Sequence, residues 1–217
     1  MPVDTAPTSR PPRADAERNR RRILDAATRV FADSGPAATL NDVARAAGVG
    51  IGTIYRKFPD KEALLDALLE DKVAAVVQVA VDAAELADPG VAFRAYLFGM
   101  IEVHARDRSL ATILFAPTRH ERVPADFTQR LAPTADALIA EAIAAGELRV
   151  GFTRQDTTVL AVMVSAIAAA TRSQDPDLWR RYAQVVVDGT RPTAATGPLA
   201  PDPLSFTRTA EALGGTL

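Results

Sequence analysis

The stretch Ala47-Gly48-Val49-Gly50-Ile51-Gly52-Thr53-Ile54-Tyr55-Arg56-Lys57-Phe58-Pro59-Asp60-Lys61-Glu62-Ala63-Leu64-Leu65 decides the fold of this chain. Gly48 ends a helix of about two turns, and a second short helix starts near Gly50. Ile51, Ile54, Tyr55 and Phe58 give that second helix its apolar residues, with Ile51 and Ile54 expected to face the core. Pro59 cannot continue it, and Asp60 is placed to cap the long helix that follows. Two short helices joined by a tight glycine-containing turn, between a longer helix on either side, make a helix-turn-helix at residues 39–58.

Outward from this stretch, every signal is helical. Upstream, Thr39-Leu40-Asn41-Asp42 reads as a capping box, in which Thr39 serves the third helical N–H and Asp42 reaches back to the N–H of Thr39. Before it, a helix from about Ala14 to Ser34 aligns Ile23, Ala27, Val30 and Phe31, and Gly35-Pro36 closes it. Downstream, a fourth helix carries Leu64, Ala67, Leu68, Val73, Val76, Val77 and Ala80, and fades near Asp88-Pro89-Gly90. Further helices are expected over about 91–106, 110–115, 124–145 (ended by Gly146), 153–171 (capped by Thr153 with Asp156) and 176–188. Period-two alternation bounded by hairpin turns is missing, so the fold class is all-α. The expected division is an arm at 1–13, a three-helix helix-turn-helix domain at 14–62, a helical bundle at 63–190, and a Pro-rich tail at 191–217. The arm is read as disordered, and 204–213 as a short helix that docks back.

Composition narrows the chemistry. The chain has 217 residues, 48% of them hydrophobic, and no cysteine. Disulfides, thiolate metal sites and cysteine nucleophiles are therefore excluded. No run approaches a membrane span and the N-terminus lacks the apolar stretch of a signal peptide, so the expected compartment is the cytoplasm. The formal net charge of −2 hides an asymmetry, with residues 1–62 carrying +3 and the remainder −5. Such asymmetry fits either nucleic-acid binding or a solvated charged surface. His104 and His120, the only histidines, lack metal-ligand spacing and read as surface or pocket-edge residues, so no metal and no cofactor are expected.

The segment from about Arg20 to Leu69 resembles the DNA-binding domain of tetracycline-repressor (TetR) type regulators. The likeness is sharpest in Gly48-Val49, Gly52-Thr53-Ile54-Tyr55, Phe58-Pro59 and Lys61-Glu62-Ala63-Leu64-Leu65. It implies a sequence-specific transcription regulator, a ligand-relieved repressor bound as a homodimer to a palindromic operator in double-stranded DNA. In the family, residues matching Tyr55 and Lys61 touch the phosphate backbone. Thr53 and Arg56 are the candidates for base contact, and Arg56 has the fork that pairs with guanine in the major groove. Thr39 is placed for a phosphate at a helix N-terminus. Asn41 and Arg45 lie on that helix's exposed face, and Gly50 and Gly52 let the backbone come close to DNA. Lys57 is a further contact or a surface lysine. Arg20 and Arg21, with Arg18 and Arg22, reach flanking phosphates or form a charged solvent face.

The resemblance further implies an effector pocket and a dimer face after about Asp71. Candidate pocket residues are Phe93, Tyr96, Leu97, Met100, His104, Phe115, Phe127 and Met163, each of which could instead be core packing. Their apolar character suits an apolar or aromatic small-molecule effector. Candidate dimer residues are Val159, Met163, Ile167, Leu178, Trp179, Tyr182 and Val186, more apolar than a solvent-facing helix pair requires, with a monomer core as the alternative. An enzyme is disfavoured, since there is no nucleophile elbow, phosphate-binding glycine loop or paired-carboxylate pattern. An adaptor that has lost operator binding is disfavoured by the intact Thr53, Tyr55, Arg56 and Lys61.

Overall fold

In the computed structural model, residues 12–107, 125–193, 197, 199–205, 208, 209 and 212 are described, and they contain eight α-helices and no strand. The helices are α1 (Pro12–Ser34), α2 (Leu40–Ala47), α3 (Ile51–Lys57), α4 (Lys61–Ala84), α5 (Pro89–Arg106), α6 (Ala125–Ala144), α7 (Arg154–Thr171) and α8 (Trp179–Gly189). The chain divides into two compact units, Met1–Leu68 and Leu69–Leu217. The helix expected at 110–115 and residues 1–11 of the expected arm lie outside the described residues, whereas Pro12 and Arg13, expected in the arm, already belong to α1.

The first unit is built by its punctuation. Gly35 takes φ +55°, a conformation most side chains avoid, and a short 3₁₀ turn, Gly35–Ala37, leads to α2. Thr39 and Asp42 form the capping box: Thr39 Oγ1 accepts from the Asp42 N–H at 3.2 Å, and the Thr39 N–H donates to Asp42 Oδ2 at 3.1 Å. At the other end Gly48 is left-handed, with Gly48 N–H donating to Arg45 O and Val49 N–H to Ala44 O. This is the Schellman arrangement, and it stops α2 after eight residues. Asp60 Oδ1 accepts from the Ala63 N–H at 2.7 Å and starts α4. Ile23, Ala27 and Phe31 of α1, Val43 of α2, Ile54 of α3 and Leu64 of α4 are buried together as the core of this unit. Burying each large aliphatic side chain contributes roughly 1.5–3 kcal/mol.

The second unit is organised on α5, which packs most extensively on α7 and also on α6 and α8. Asp88 caps α5 by accepting from the Val91 N–H at 2.8 Å, and Pro89 opens its first turn. Phe93, Tyr96, Leu97, Met100 and Ile101 are buried along it, and Phe93 meets Phe152 edge-on with ring centroids 5.3 Å apart. Thr153 and Asp156 cap α7 as a second capping box. Helix α8 begins at Trp179 rather than near Pro176. The reason is local: Asp175 Oδ1 accepts the Asp177 N–H at 2.9 Å, which draws the backbone into a turn before the helix. In the tail, Arg149 donates to the carbonyl of Gly197 at 3.2 Å, and Leu199 lies against Gly151. Residues 208, 209 and 212 are helical, and Thr209 is buried.

Candidate nucleic-acid interface

Helix α3 has one residue anchored in the core and most of the others outside it. Ile54 is fully buried, whereas Gly52, Tyr55 and Arg56 are exposed and Thr53 is half-buried. Ile51 departs from expectation. It is 38% exposed instead of facing the core, because it stands at the first position of the helix, at the end away from the residues that bury Ile54. The N-terminal face of α3 therefore presents an apolar side chain, Ile51, beside Gly52, Thr53 and Arg56. A helix of this length fits the width of the DNA major groove, about 12 Å.

Thr39, Asn41, Tyr55 and Lys61 line a single shallow concavity with Pro59 and Asp60. It thus gathers the N-terminus of α2, the tyrosine of α3 and the first residue of α4. Tyr55 is half exposed there, and the Lys61 ammonium lies 5.5 Å from the centroid of the Phe31 ring, which holds its stem against α1. The Thr39 hydroxyl also donates to Asp42 Oδ2 at 2.6 Å, so its polar capacity serves the cap. Asp42 is consequently held below the usual carboxylate range, first by the Thr39 hydroxyl, then by the Thr39 N–H and the nearby Arg45. Arg45 is largely exposed and leans on Asp42 at 3.4 Å.

Two cations are committed to backbone carbonyls. The Lys57 ammonium donates to the carbonyl of Ala16 at 2.9 Å, tying the end of α3 to the start of α1. Arg22 donates to the carbonyl of Ala47 at 2.9 Å, a bond that sequence periodicity alone does not reveal. Arg21 is exposed and Arg20 half-buried on α1.

In the second unit, Phe93, Tyr96, Leu97, Met100 and His104 are all buried on α5. His104 is thus an interior residue and not a surface one. Its Nδ1 lies 2.8 Å from the carbonyl of Met100, and burial holds the imidazole below its ordinary value. Burial pushes the Tyr96 phenol up to about 12. Phe115, His120 and the side chain of Phe127 lie outside the described residues. Met163 is not a pocket residue, since it is 56% exposed on α7. With it on the surface are Ile167 of α7 and Tyr182 and Val185 of α8, while Val159, Leu178 and Val186 are half-buried. Trp179 is not part of this exposed face. It is buried against Phe98, with Arg180 stacked over its ring, and so belongs to the interior of the unit. Val159, Val186 and Leu199 line a groove of about 250 Å³ between α7, α8 and the tail. No described helix is long and apolar enough to cross a membrane, and no group of potential metal ligands occurs among the described residues.

Two family descriptions match the chain: bacterial regulatory proteins of the tetR family over residues 23–68, and the SbtR-like C-terminal domain of transcriptional regulators over 88–192. A TetR transcriptional regulator of Streptomyces coelicolor is 33% identical in sequence, with 81% of this chain and 99% of that one covered and a TM-score of 0.55. The chain belongs to the TetR family of transcriptional regulators. That membership sets it among DNA-binding regulators and apart from enzymes. The repressor LfrR of Mycolicibacterium smegmatis is 56% identical to it over 52 residues, 24% of this chain and 27% of that one. The matches to curated relatives cover less than half the length of each. FadR of Bacillus subtilis, solved with stearoyl-CoA, shares this TetR fold at 22% identity, with a TM-score of 0.54 over 78% of this chain and 98% of that one.

Proposed function

We propose that this TetR-family protein is a homodimeric repressor that binds a palindromic operator and releases it when a small molecule occupies its second unit. One observation carries the DNA-binding half of this reading. The exposed face formed by Ile51, Gly52, Thr53 and Arg56 is fixed on the buried Ile54, beside the concavity of Thr39, Asn41, Tyr55 and Lys61. Arg56 and Thr53 read base edges, Ile51 adds apolar contact, and Tyr55, Lys61, Asn41 and Arg45 hold phosphates, with Arg20 and Arg21 flanking. Lys57 and Thr39 act through positioning, one tying α3 to α1 and the other capping α2.

The domain division follows the same logic, with residues up to about 62 reading DNA and the helical bundle beyond sensing and pairing. Met163, Ile167, Tyr182 and Val185 make the self-complementary face of a two-fold dimer, whose half-sites lie about one helical turn apart or more. Effector binding shifts the population between two settings of α4, provided its affinity differs between them. The test is fluorescence anisotropy on the DNA upstream of the protein's own gene, with a scrambled duplex, an Arg56→Ala variant and varied salt. Tight, salt-dependent binding to the native duplex alone, lost in the variant, is the expected result. Equal weak binding to both duplexes would count against specific recognition of that site.

A further inference from the structure

Four buried polar atoms among the described residues of the second unit have no hydrogen-bond partner, Tyr96 Oη, His104 Nε2, Thr157 Oγ1 and Arg149 Nε, and the first three lie on α5 and α7. Tyr96 and Thr157 are completely buried and His104 is 3% exposed. An unsatisfied buried polar group costs about 1–3 kcal/mol, so three on two helices packed against each other call for a reason. They are also ordered in space. Tyr96, Met100 and His104 follow one another at four-residue steps on α5, on one side of the helix, with Tyr96 and His104 about 12 Å apart along its axis. Thr157 of α7 comes close to the Tyr96 hydroxyl, without the geometry of a hydrogen bond.

The chemistry of each end can be read from its neighbours. Met100 O can only accept, so His104 Nδ1 must carry the proton that bridges their 2.8 Å contact. Burial keeps the ring neutral, which leaves Nε2 as a lone pair with nothing to accept from. Asp107, which acts on the ring through its charge, is paired with Lys72 of α4. That end therefore asks for a hydrogen-bond donor. At the other end, the Tyr96 phenol stays protonated, and the nearby Arg154 already pairs with Asp136 at 2.7 Å. Among the described residues, this end offers two hydroxyls and no uncommitted cation. Between the ends the stripe is apolar, with Met100 and Leu97 buried.

Resting on the effector-responsive reading above, we infer that Tyr96, Thr157 and His104 bind a neutral, elongated, mainly apolar molecule that donates a hydrogen bond to His104 Nε2 and exchanges another with the Tyr96–Thr157 hydroxyls. A carboxylate at the His104 end would face the lone pair of Nε2 and find no donor on the ring. The class is that of long-chain alcohols, diols and hydroxylated apolar compounds, not of fatty acids or their anionic conjugates.

The experiment uses the full chain and a matched series: a linear eight-carbon diol, the corresponding dicarboxylate and the corresponding alkane. Thermal unfolding is followed for the wild type, His104→Phe and Tyr96→Phe. At about five times its Kd the diol should raise the wild-type Tm by about 2–4 °C. The dicarboxylate should not, and both variants should lose the response. Because a variant could be altered in packing, nitrogen-15 spectra of the histidines in the wild type provide a second readout. The Nε2 resonance of His104 should sit at a free lone-pair position and move on addition of the diol. Equal stabilisation by the alkane, no response to the diol, or an Nε2 resonance already hydrogen-bonded and unmoved would overturn the inference. DNA binding is read separately by anisotropy. A chain that bound the operator but failed this series would lose the ligand class and keep its regulatory reading. The reverse result would keep the site and sink the repressor.

Discussion

Arg22 of α1 donates from Nη2 to the carbonyl of Ala47, the last residue of α2, at 2.9 Å. This carbonyl is one of those left without an intrahelical partner at a helix end, and the guanidinium crosses to it where Gly48 leaves room, 3.6 Å from the position a Cβ would take. The arginine fixes the angle at which α2 meets α1. Arg22→Ala should therefore lower the stability of the chain by about 1 kcal/mol in urea unfolding. The slope of operator affinity against salt should stay as in the wild type. A slope reduced by about one would instead make Arg22 a phosphate contact.

The capping box of α2 makes a pH prediction. Asp42 is held below the usual carboxylate value of 3.8, mainly by the Thr39 hydroxyl. A carboxylate with a depressed folded value stabilises the fold above its unfolded value, and that contribution is lost as pH falls through the folded one. The wild type should thus lose part of its stability on acidification, from roughly pH 5 to pH 2. Thr39→Ala should cost about 1 kcal/mol at neutral pH and show a shallower acid dependence. Parallel acid dependence in the two proteins would mean that Asp42 is not the responsible group.

Exposed Ile51 and Arg56 on α3 should separate fold from recognition. Alanine at either position should change stability by no more than about 0.5 kcal/mol, as expected for surface sites. On a panel of operators with single-base changes, Arg56→Ala should lose about 1–3 kcal/mol of discrimination at a guanine. Ile51→Ala should lose discrimination at a thymine, whose methyl group an apolar side chain can meet. A uniform loss across the panel would make both residues general contacts without sequence preference.

Much of this was legible in the sequence because helix ends have chemical signatures. Thr39 with Asp42, Gly48, Asp60, and Thr153 with Asp156 each mark a boundary that the structure keeps. What the sequence did not reveal were facts that depend on rotation and on long-range neighbours. Ile51 lies at apolar spacing with Ile54, but at the first position of a seven-residue helix it turns to solvent. Trp179 looks like an interface aromatic, yet Phe98, far away in sequence, covers it. The buried Thr157 did leave a trace. It falls at helical spacing with the buried Ala161, Val164 and Ala168, a polar residue within an apolar stripe.

The face carrying Met163, Ile167, Tyr182 and Val185 gives the last prediction. These apolar side chains, two from each of α7 and α8, are more than a third exposed, with Val185 at 63%. Apolar residues clustered on neighbouring helices mark an interaction surface when they form one patch. Val185→Glu puts a charge on that patch without touching the interior, so the variant should keep its helical content and sediment as a monomer. The buried Trp179 serves as the contrast. Trp179→Ala removes a core aromatic and should cost about 3–5 kcal/mol of stability, a loss carried by the fold of each protomer. If Val185→Glu sedimented as a dimer, the pairing surface would have to lie elsewhere on the second unit. If it were a monomer that still bound the full operator with wild-type affinity, the two-fold reading of a palindrome would fail, because a single head contacts only one half-site.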